Sequence, residues 1–261
     1  MEKVGIIGAG KIGGSLLVRL AESEGFDLAA SDIHPEQLEP YIGYGVRTTS
    51  SNRELAEWSD LVVAAVKPWD VAQILSEVAP AFEGTDKALV SVAAGVSIAS
   101  ISEKLPSGTA VLRVMPNVAA SVGLGSAVVT ANEPGLSTLP TVMDIFRHVG
   151  DVMELPERLF DAATALHGSG PAYVALFADA LIQAGVREGI PRDVARRLVV
   201  ETIAGTAVLL KDRSAHQVRD EVMTPGGTTA AAFVAMEKAG FVAAVYDGVN
   251  AATERARRLG G

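Results

Sequence analysis

Cysteine is absent from the 261 residues, which excludes disulfides, thiol catalysis and thiolate metal sites together. Metal-ligand spacing is missing as well: His34, His148, His167 and His216 are scattered along the chain, so no metal is expected. No run of Lys or Arg accompanies the formal net charge of −9, which argues against nucleic acid and anionic membrane as partners. No apolar stretch reaches the roughly 18 residues of a membrane span without polar breaks. The N-terminus opens as a strand, not as a charged leader with an apolar core. Repeats and low-complexity linkers are also lacking. A soluble cytoplasmic protein is expected.

What is present is apolar. Hydrophobic residues make up 49% of the chain and charged residues 20%, too apolar a balance for disorder. The first half alternates short apolar runs with helical patterns. "VGIIGAG", "FDLAASD", "LVVAAV", "ALVSVAA" and "AVLRVM" read as buried strands. Between them, "KIGGSLLVRLAES" and "DVAQILSEVAPAF" repeat apolar residues every three or four positions. Such alternation predicts an α/β fold, a parallel doubly wound (Rossmann) sheet covered on both faces. A strand "GSAVVTA", a helix from about Leu136 to His148 and a strand "DVMEL" complete this domain, residues 1–156.

Residues 157–261 read as helices only. "GPAYVALFADALIQAG" sets Tyr173, Leu176, Phe177, Ala180, Leu181 and Ala184 on one face, with Asp179 and Gln183 opposite. The next helix, about Arg192 to Lys211, is apolar nearly all the way round. A soluble helix of that kind must be covered, and a second copy of the chain is the expected cover.

"GIIGAGKIGGSL" carries Gly8, Gly10 and Gly13 in G-x-G-x-x-G spacing, after a strand and at the mouth of a helix. The first glycine permits the tight turn, the second lets backbone approach a pyrophosphate, and the third lets helix and strand pack closely. The helix N-terminus supplies free N–H groups for the anion. Asp32 lies at the end of the second strand, where a carboxylate binds adenosine ribose hydroxyls and repels the 2′-phosphate of NADP. Ile33 and His34 follow it with no Arg to compensate, so NAD(P)H is the expected cofactor with a tilt to NADH. The competing reading of Asp32 is that it starts a turn in "SDIHPEQ".

Substrate is expected between the two domains, facing the nicotinamide. Oxidising an alcohol there needs a base. From Ala165 to Gly185 there is no Lys, Glu or Arg, only His167 and Asp179, so a hydroxy-acid dehydrogenase is disfavoured. An iminium carbon accepts hydride without a general base. In "MTPGGTTAAAF", Gly226, Gly227, Thr228 and Thr229 offer backbone N–H groups and hydroxyls at a helix start, a place for a small carboxylate. The alternative is a threonine that only caps its helix.

The motifs "GIIGAGKIGGSL", "AAVKP", "SVAAGVSI", "RVMPN", "GSGPAY", "AGVREGIP" and "MTPGGTT" occur in an order and spacing that resemble the pyrroline-5-carboxylate reductase family nearly end to end. The resemblance implies NAD(P)H-dependent reduction of L-1-pyrroline-5-carboxylate to L-proline, the last step of proline biosynthesis, by a homodimer or an oligomer of dimers. By matching position, Gly8, Gly10, Lys11, Ile12 and Gly13 would form the pyrophosphate loop, with Asn52 near the adenosine ribose. Ala65, Val66, Lys67 and Pro68 would line the cofactor, and Ala93, Ala94 and Gly95 its nicotinamide side. Met115, Pro116 and Asn117 would lie at the cleft, with Asn117 at the substrate. Gly226, Gly227 and Thr228 would hold the substrate carboxylate. Thr229 would hydrogen-bond the ring nitrogen as the catalytic residue, and Asp212 would border the site. His167 replaces the small hydroxyl residue usual before Gly-Ser-Gly, Trp69 stands where a smaller polar residue is common, and Ile33 occupies a position where NADPH-preferring members often carry Arg. Two rivals remain: a reductase of a related cyclic imino acid, such as a six-membered ring, and a non-catalytic nucleotide sensor.

Overall fold

The computed structural model describes residues 1–259. They form two compact units, one of Met1–Ser169 joined by the chain from Ala252 onward, the other of Gly170–Ala251. The first unit runs β1 (Glu2–Ile7), α1 (Lys11–Ala21), β2 (Phe26–Ser31), α2 (Glu39–Ile42), β3 (Arg47–Thr49), α3 (Asn52–Trp58), β4 (Leu61–Ala64) and α4 (Val71–Val78). It continues through β5 (Ala88–Ser91), α5 (Ile98–Ser102), β6 (Ala110–Pro116), β7 (Gly125–Ala131), α6 (Leu139–Arg147), β8 (Gly150–Glu154) and α7 (Phe160–Ala163).

Because side chains alternate across a strand, each buried strand feeds two cores. Val4 and Ile6 of β1 join Leu61 and Val63 of β4 on one face, against Leu16, Leu17 and Leu20 of α1 and Val142, Ile145 and Phe146 of α6. Ile7, Val62, Leu89 and Val111 point the other way, to Leu55 of α3 and to Val71, Ile74, Leu75 and Val78 of α4. The result is one sheet between two helical layers, in strand order β3-β2-β1-β4-β5-β6-β7-β8.

Two features depart from the expected sheet. First, β6 and β7 pair antiparallel, whereas the other neighbours are parallel. Only a short 3₁₀ turn, Val118–Val122, joins them, and a parallel crossover needs a dozen residues or more. Second, β3 is a three-residue edge strand of Arg47, Thr48 and Thr49, with no apolar residue to announce it.

The first unit also extends past the boundary expected at residue 156. Phe160 is fully buried. Glu157 Oε1 lies 3.1 Å from Arg113 Nη1, and the Arg113 guanidinium carbon sits 4.8 Å from the Phe160 ring centre. These contacts tie the chain after β8 to β6.

The second unit contains α8 (Gly170–Arg187), α9 (Arg192–Asp212), α10 (Ala215–Val222), α11 (Thr228–Lys238) and most of α12 (Phe241–Leu259). In it, only Ala195 and Val218 are buried. The expected apolar face of α8 is only partly covered: Phe177 meets Phe241 at 6.0 Å between ring centres, whereas Leu176 is 71% exposed, and Val208 of α9 is 63% exposed. Among the described residues no single helix is long and apolar enough to cross a membrane, and α11 with α12 fits that length and composition only as a pair bent by 52°.

Phe146, 1% exposed, anchors α6 to the sheet. Phe146→Ala is expected to lower the stability of the first unit by about 3–5 kcal/mol, read as an earlier denaturant midpoint in an otherwise folded protein.

Candidate functional site

The glycine loop joins β1 to α1 by backbone contact. Gly8 adopts φ +96°, and a Cβ there would lie 2.6 Å from the Ala65 carbonyl oxygen at the end of β4. A Cβ at Gly13 would overlap the Gly8 carbonyl. Both glycines are therefore required by the fold itself. Gly10 is different: a Cβ there would meet no atom of the chain within 4 Å. The bare backbone at Gly10 opens onto free space, at the start of a helix that has no side-chain cap. Packing explains Gly8 and Gly13 and does not explain Gly10.

Asp32 makes the local turn its sequence allowed and also braces the glycine loop. Its Oδ1 accepts the His34 backbone N–H at 2.9 Å, a local turn. Its Oδ2 accepts the Ala9 N–H at 2.7 Å and so braces the glycine loop. Ionised carboxylate oxygens retain lone pairs for ribose hydroxyls. Ile33 beside it is 83% exposed, and the His34 ring faces Glu36 at 3.5 Å. Asn52 opens α3, where its Oδ1 accepts from Ser31 Oγ at 2.7 Å and its Nδ2 donates to Glu77 Oε2 at 2.7 Å. The Lys67 side chain is exposed. Ala93, Ala94 and Gly95 follow β5, with Gly95 at φ +77°. Loop, Asp32, Asn52, Ala65 to Pro68 and Ala93 to Gly95 thus gather at the carboxyl ends of adjacent strands, the edge where open α/β sheets bind ligands.

At the end of β6, Asn117 works as a bracket. Its Oδ1 accepts the Ala119 and Ser126 N–H groups at 3.2 and 3.3 Å, and its Nδ2 donates to the His167 carbonyl at 3.2 Å. Ser126 Oγ then meets His167 Nδ1 at 3.2 Å. His167 lies in a π-helical turn, Thr164–Gly168, a distortion common near functional sites, and its Nε2 is buried without a partner. Burial holds the His167 pKa below its ordinary 6.5, opposed by hydrogen bonding with the Ser126 backbone. Sequence reasoning singled out His167 but missed Ser126 and Glu157, whose partners are 41 and 44 residues away. It missed Tyr41 too. The Tyr41 hydroxyl stands where a Cβ at Gly14 would fall, and its pKa is raised by burial and, secondarily, by the charge of Asp32.

In the second unit, the turn before α11 is bare. Gly226 has φ +69°, and Gly227 is the N-cap of α11 with no side-chain cap. The capping alternative for the threonines is not what the structure shows, since Thr228 and Thr229 lie inside the first turn. Two hydroxyls and the first-turn N–H groups of α11 are left open to a ligand. Asp212 ends α9 and is exposed. In α8, Arg187 in the last turn is the one basic residue.

A doubly wound sheet with a glycine loop and an acidic residue after β2 defines a nicotinamide-dinucleotide oxidoreductase. Residues 3–95 match the family model described as NADP oxidoreductase, coenzyme F420-dependent, and residues 157–259 match pyrroline-5-carboxylate reductase dimerisation. The chain is 39% identical to a pyrroline-5-carboxylate reductase of Synechocystis sp., covering 99% of this chain and 98% of that one. It is 37% identical to pyrroline-5-carboxylate reductase 3 of Rattus norvegicus, over 99% and 96% of the two chains. A solved Plasmodium falciparum pyrroline carboxylate reductase with NADP bound superposes with TM-score 0.89 at 33% identity, over 100% and 98% of the chains. The Coxiella burnetii pyrroline-5-carboxylate reductase superposes with TM-score 0.93 at 30% identity, over 99% and 98%. This chain belongs to the pyrroline-5-carboxylate reductase family.

The lowered pKa of His167 sets a direction for pH dependence. Between the folded value and 6.5 the unfolded chain binds a proton that the folded chain does not, so stability rises with pH there. The His167 contribution to stability is expected to be complete above its unfolded value of 6.5 and to be lost as pH falls from there through the folded value. His167→Gln should flatten that fall in denaturant titrations at several pH values.

Proposed function

We propose that this chain is a cytoplasmic, homo-oligomeric reductase that converts L-1-pyrroline-5-carboxylate to L-proline with NAD(P)H. Its dinucleotide-binding domain is assigned to 1–156 and its helical dimerisation and substrate domain to 157–261, a functional division that differs from the compact units, the first of which also takes in residues up to Ser169. The observation that carries the substrate reading is the uncapped glycine–threonine turn of α11. Backbone N–H groups at a helix start, with no side chain to satisfy them, suit a small carboxylate.

Gly8, Gly10, Lys11, Ile12 and Gly13 hold the pyrophosphate, Asp32 and Asn52 the adenosine ribose, Ala65 to Pro68 the flanking edge, and Ala93 to Gly95 the nicotinamide side. Gly226, Gly227 and Thr228 hold the substrate carboxylate, bordered by Asp212, and Asn117 is assigned to substrate binding as well. Reduced nicotinamide, when bound, supplies a hydride. The chain's part is to orient the imine so that its carbon receives that hydride while the C=N π electrons settle on the protonated nitrogen. The Thr229 hydroxyl is a poor acid, so it orients and polarises the ring nitrogen, and the proton arrives with the substrate or from water. No general base is called for, in keeping with the lack of Lys, Glu or Arg in α8 before Arg187.

NADH is the preferred cofactor in this reading. Asp32 repels a 2′-phosphate and exposed Ile33 offers it no cation, although a solved relative carries NADP. Self-association covers the exposed faces of α8 and α9, and the match of 157–259 to a dimerisation family supports it.

The test is oxidation of NADH and, separately, NADPH by purified protein given pyrroline-5-carboxylate, with proline as product. Binding of NADH without turnover would move the assignment to the sensor reading. Thr229→Ala is expected to cut turnover about a hundredfold with NADH affinity unchanged. Ile33→Arg is expected to move the NADPH/NADH ratio of kcat/KM about tenfold towards NADPH, the worth of one charge-assisted hydrogen bond.

A further inference from the structure

Trp69 is 77% exposed. The other tryptophan, Trp58, lies under two cations, with the Arg47 guanidinium carbon 5.0 Å and Lys3 Nζ 5.7 Å from its ring. Phe82, Phe146 and Phe160 are buried. A lone exposed apolar residue needs no explanation, but the placement of this one is informative.

Trp69 follows the loop after β4, which abuts the glycine loop: Val66 Cγ1 would lie 3.2 Å from a Cβ at Gly8. From Lys67 the backbone is already wound. The Asp70 N–H donates to the Lys67 carbonyl and the Val71 N–H to the Pro68 carbonyl, and Asp70 has helical φ and ψ. Trp69 lies in the turn that leads into α4, four residues before Gln73 and eight before Glu77, which share one side of the helix. At Glu77 that side meets Asn52, the first residue of α3. Gln73 Nε2 donates to Glu77 Oε1 at 3.0 Å, and Glu77 Oε2 accepts from Asn52 Nδ2, which ties α4 to the end of β2 through Ser31. Glu77 is near the end of α4, yet it is level with the first residue of α3. From Glu77, α4 runs back to Val71, and the turn that holds Trp69 joins it to the loop after β4 beside the glycine loop.

We propose that Trp69 stacks its indole on the adenine ring of the bound dinucleotide and closes the adenosine end of the site. The inference rests on the cofactor reading above, which puts the ribose at Asp32 and Asn52. An indole offers a purine a broad π-face with no directional hydrogen bond to satisfy. The contact strengthens NADH and NADPH binding alike, since the 2′-phosphate is not on the base.

Calorimetric titration with ADP-ribose, the cofactor without its nicotinamide, tests this. Trp69→Ala is expected to weaken ADP-ribose binding about ten- to hundredfold, and Trp69→Phe to restore most of it. In Trp58→Phe protein, whose remaining tryptophan is Trp69, ADP-ribose is expected to quench the emission. Unchanged ADP-ribose affinity in Trp69→Ala, from protein in which the wild type binds it, overturns the stacking role and leaves the cofactor reading intact. Failure of the wild type to bind ADP-ribose or NADH overturns both.

Discussion

At the end of β1, three backbone segments meet with no side chain between them. The Gly8 carbonyl occupies the space a Gly13 side chain would need, and Gly8 itself lies against the Ala65 carbonyl. This contact sets how closely α1 approaches the sheet, and so where the first turn of α1 points. It also brings the loop after β4 beside the glycine loop. Asp32 reinforces the arrangement by holding the Ala9 N–H. This edge of the sheet is thus built mainly of backbone, a base that a side chain at Gly8 or Gly13 would disrupt.

The two units bury their apolar residues differently. In the first, strand alternation sends neighbouring side chains to opposite cores, and helices cover both. In the second, the helices carry apolar residues on faces that a single chain does not cover, and just two residues are buried between Gly170 and Ala251. A unit without its own core has little hydrophobic stabilisation in isolation. Its stability, and the shape of the turn before α11, are accordingly linked to self-association in the reading proposed above.

Most of the sheet was legible because buried strands are written as continuous apolar runs and the intervening helices as a period of three to four. The strand β3 was not, since Arg47, Thr48 and Thr49 carry no apolar signal and pair at an edge. The direction of β7 is a property of loop length: the link after Pro116 is too short for a crossover. The extension of the first unit to Ser169 rests on Arg113 meeting Glu157 and Phe160, pairings that no local pattern encodes. At the site, the glycines and the Pro-Gly-Gly-Thr-Thr turn were readable because each needs a special residue at one position. Asn117 was readable as a motif, but not as the bracket that ties Ser126 to the His167 carbonyl, because its partners are distant in the chain.

The central claim is that a hydride passes to the carbon of a cyclic imine while the chain supplies position and hydrogen bonds. The most direct test uses NADH carrying deuterium at both C4 positions, pyrroline-5-carboxylate and the purified protein, with the product read by mass spectrometry and NMR. The account predicts proline carrying one deuterium at C5. Proline without the label, or NADH consumed with no proline formed, would contradict it.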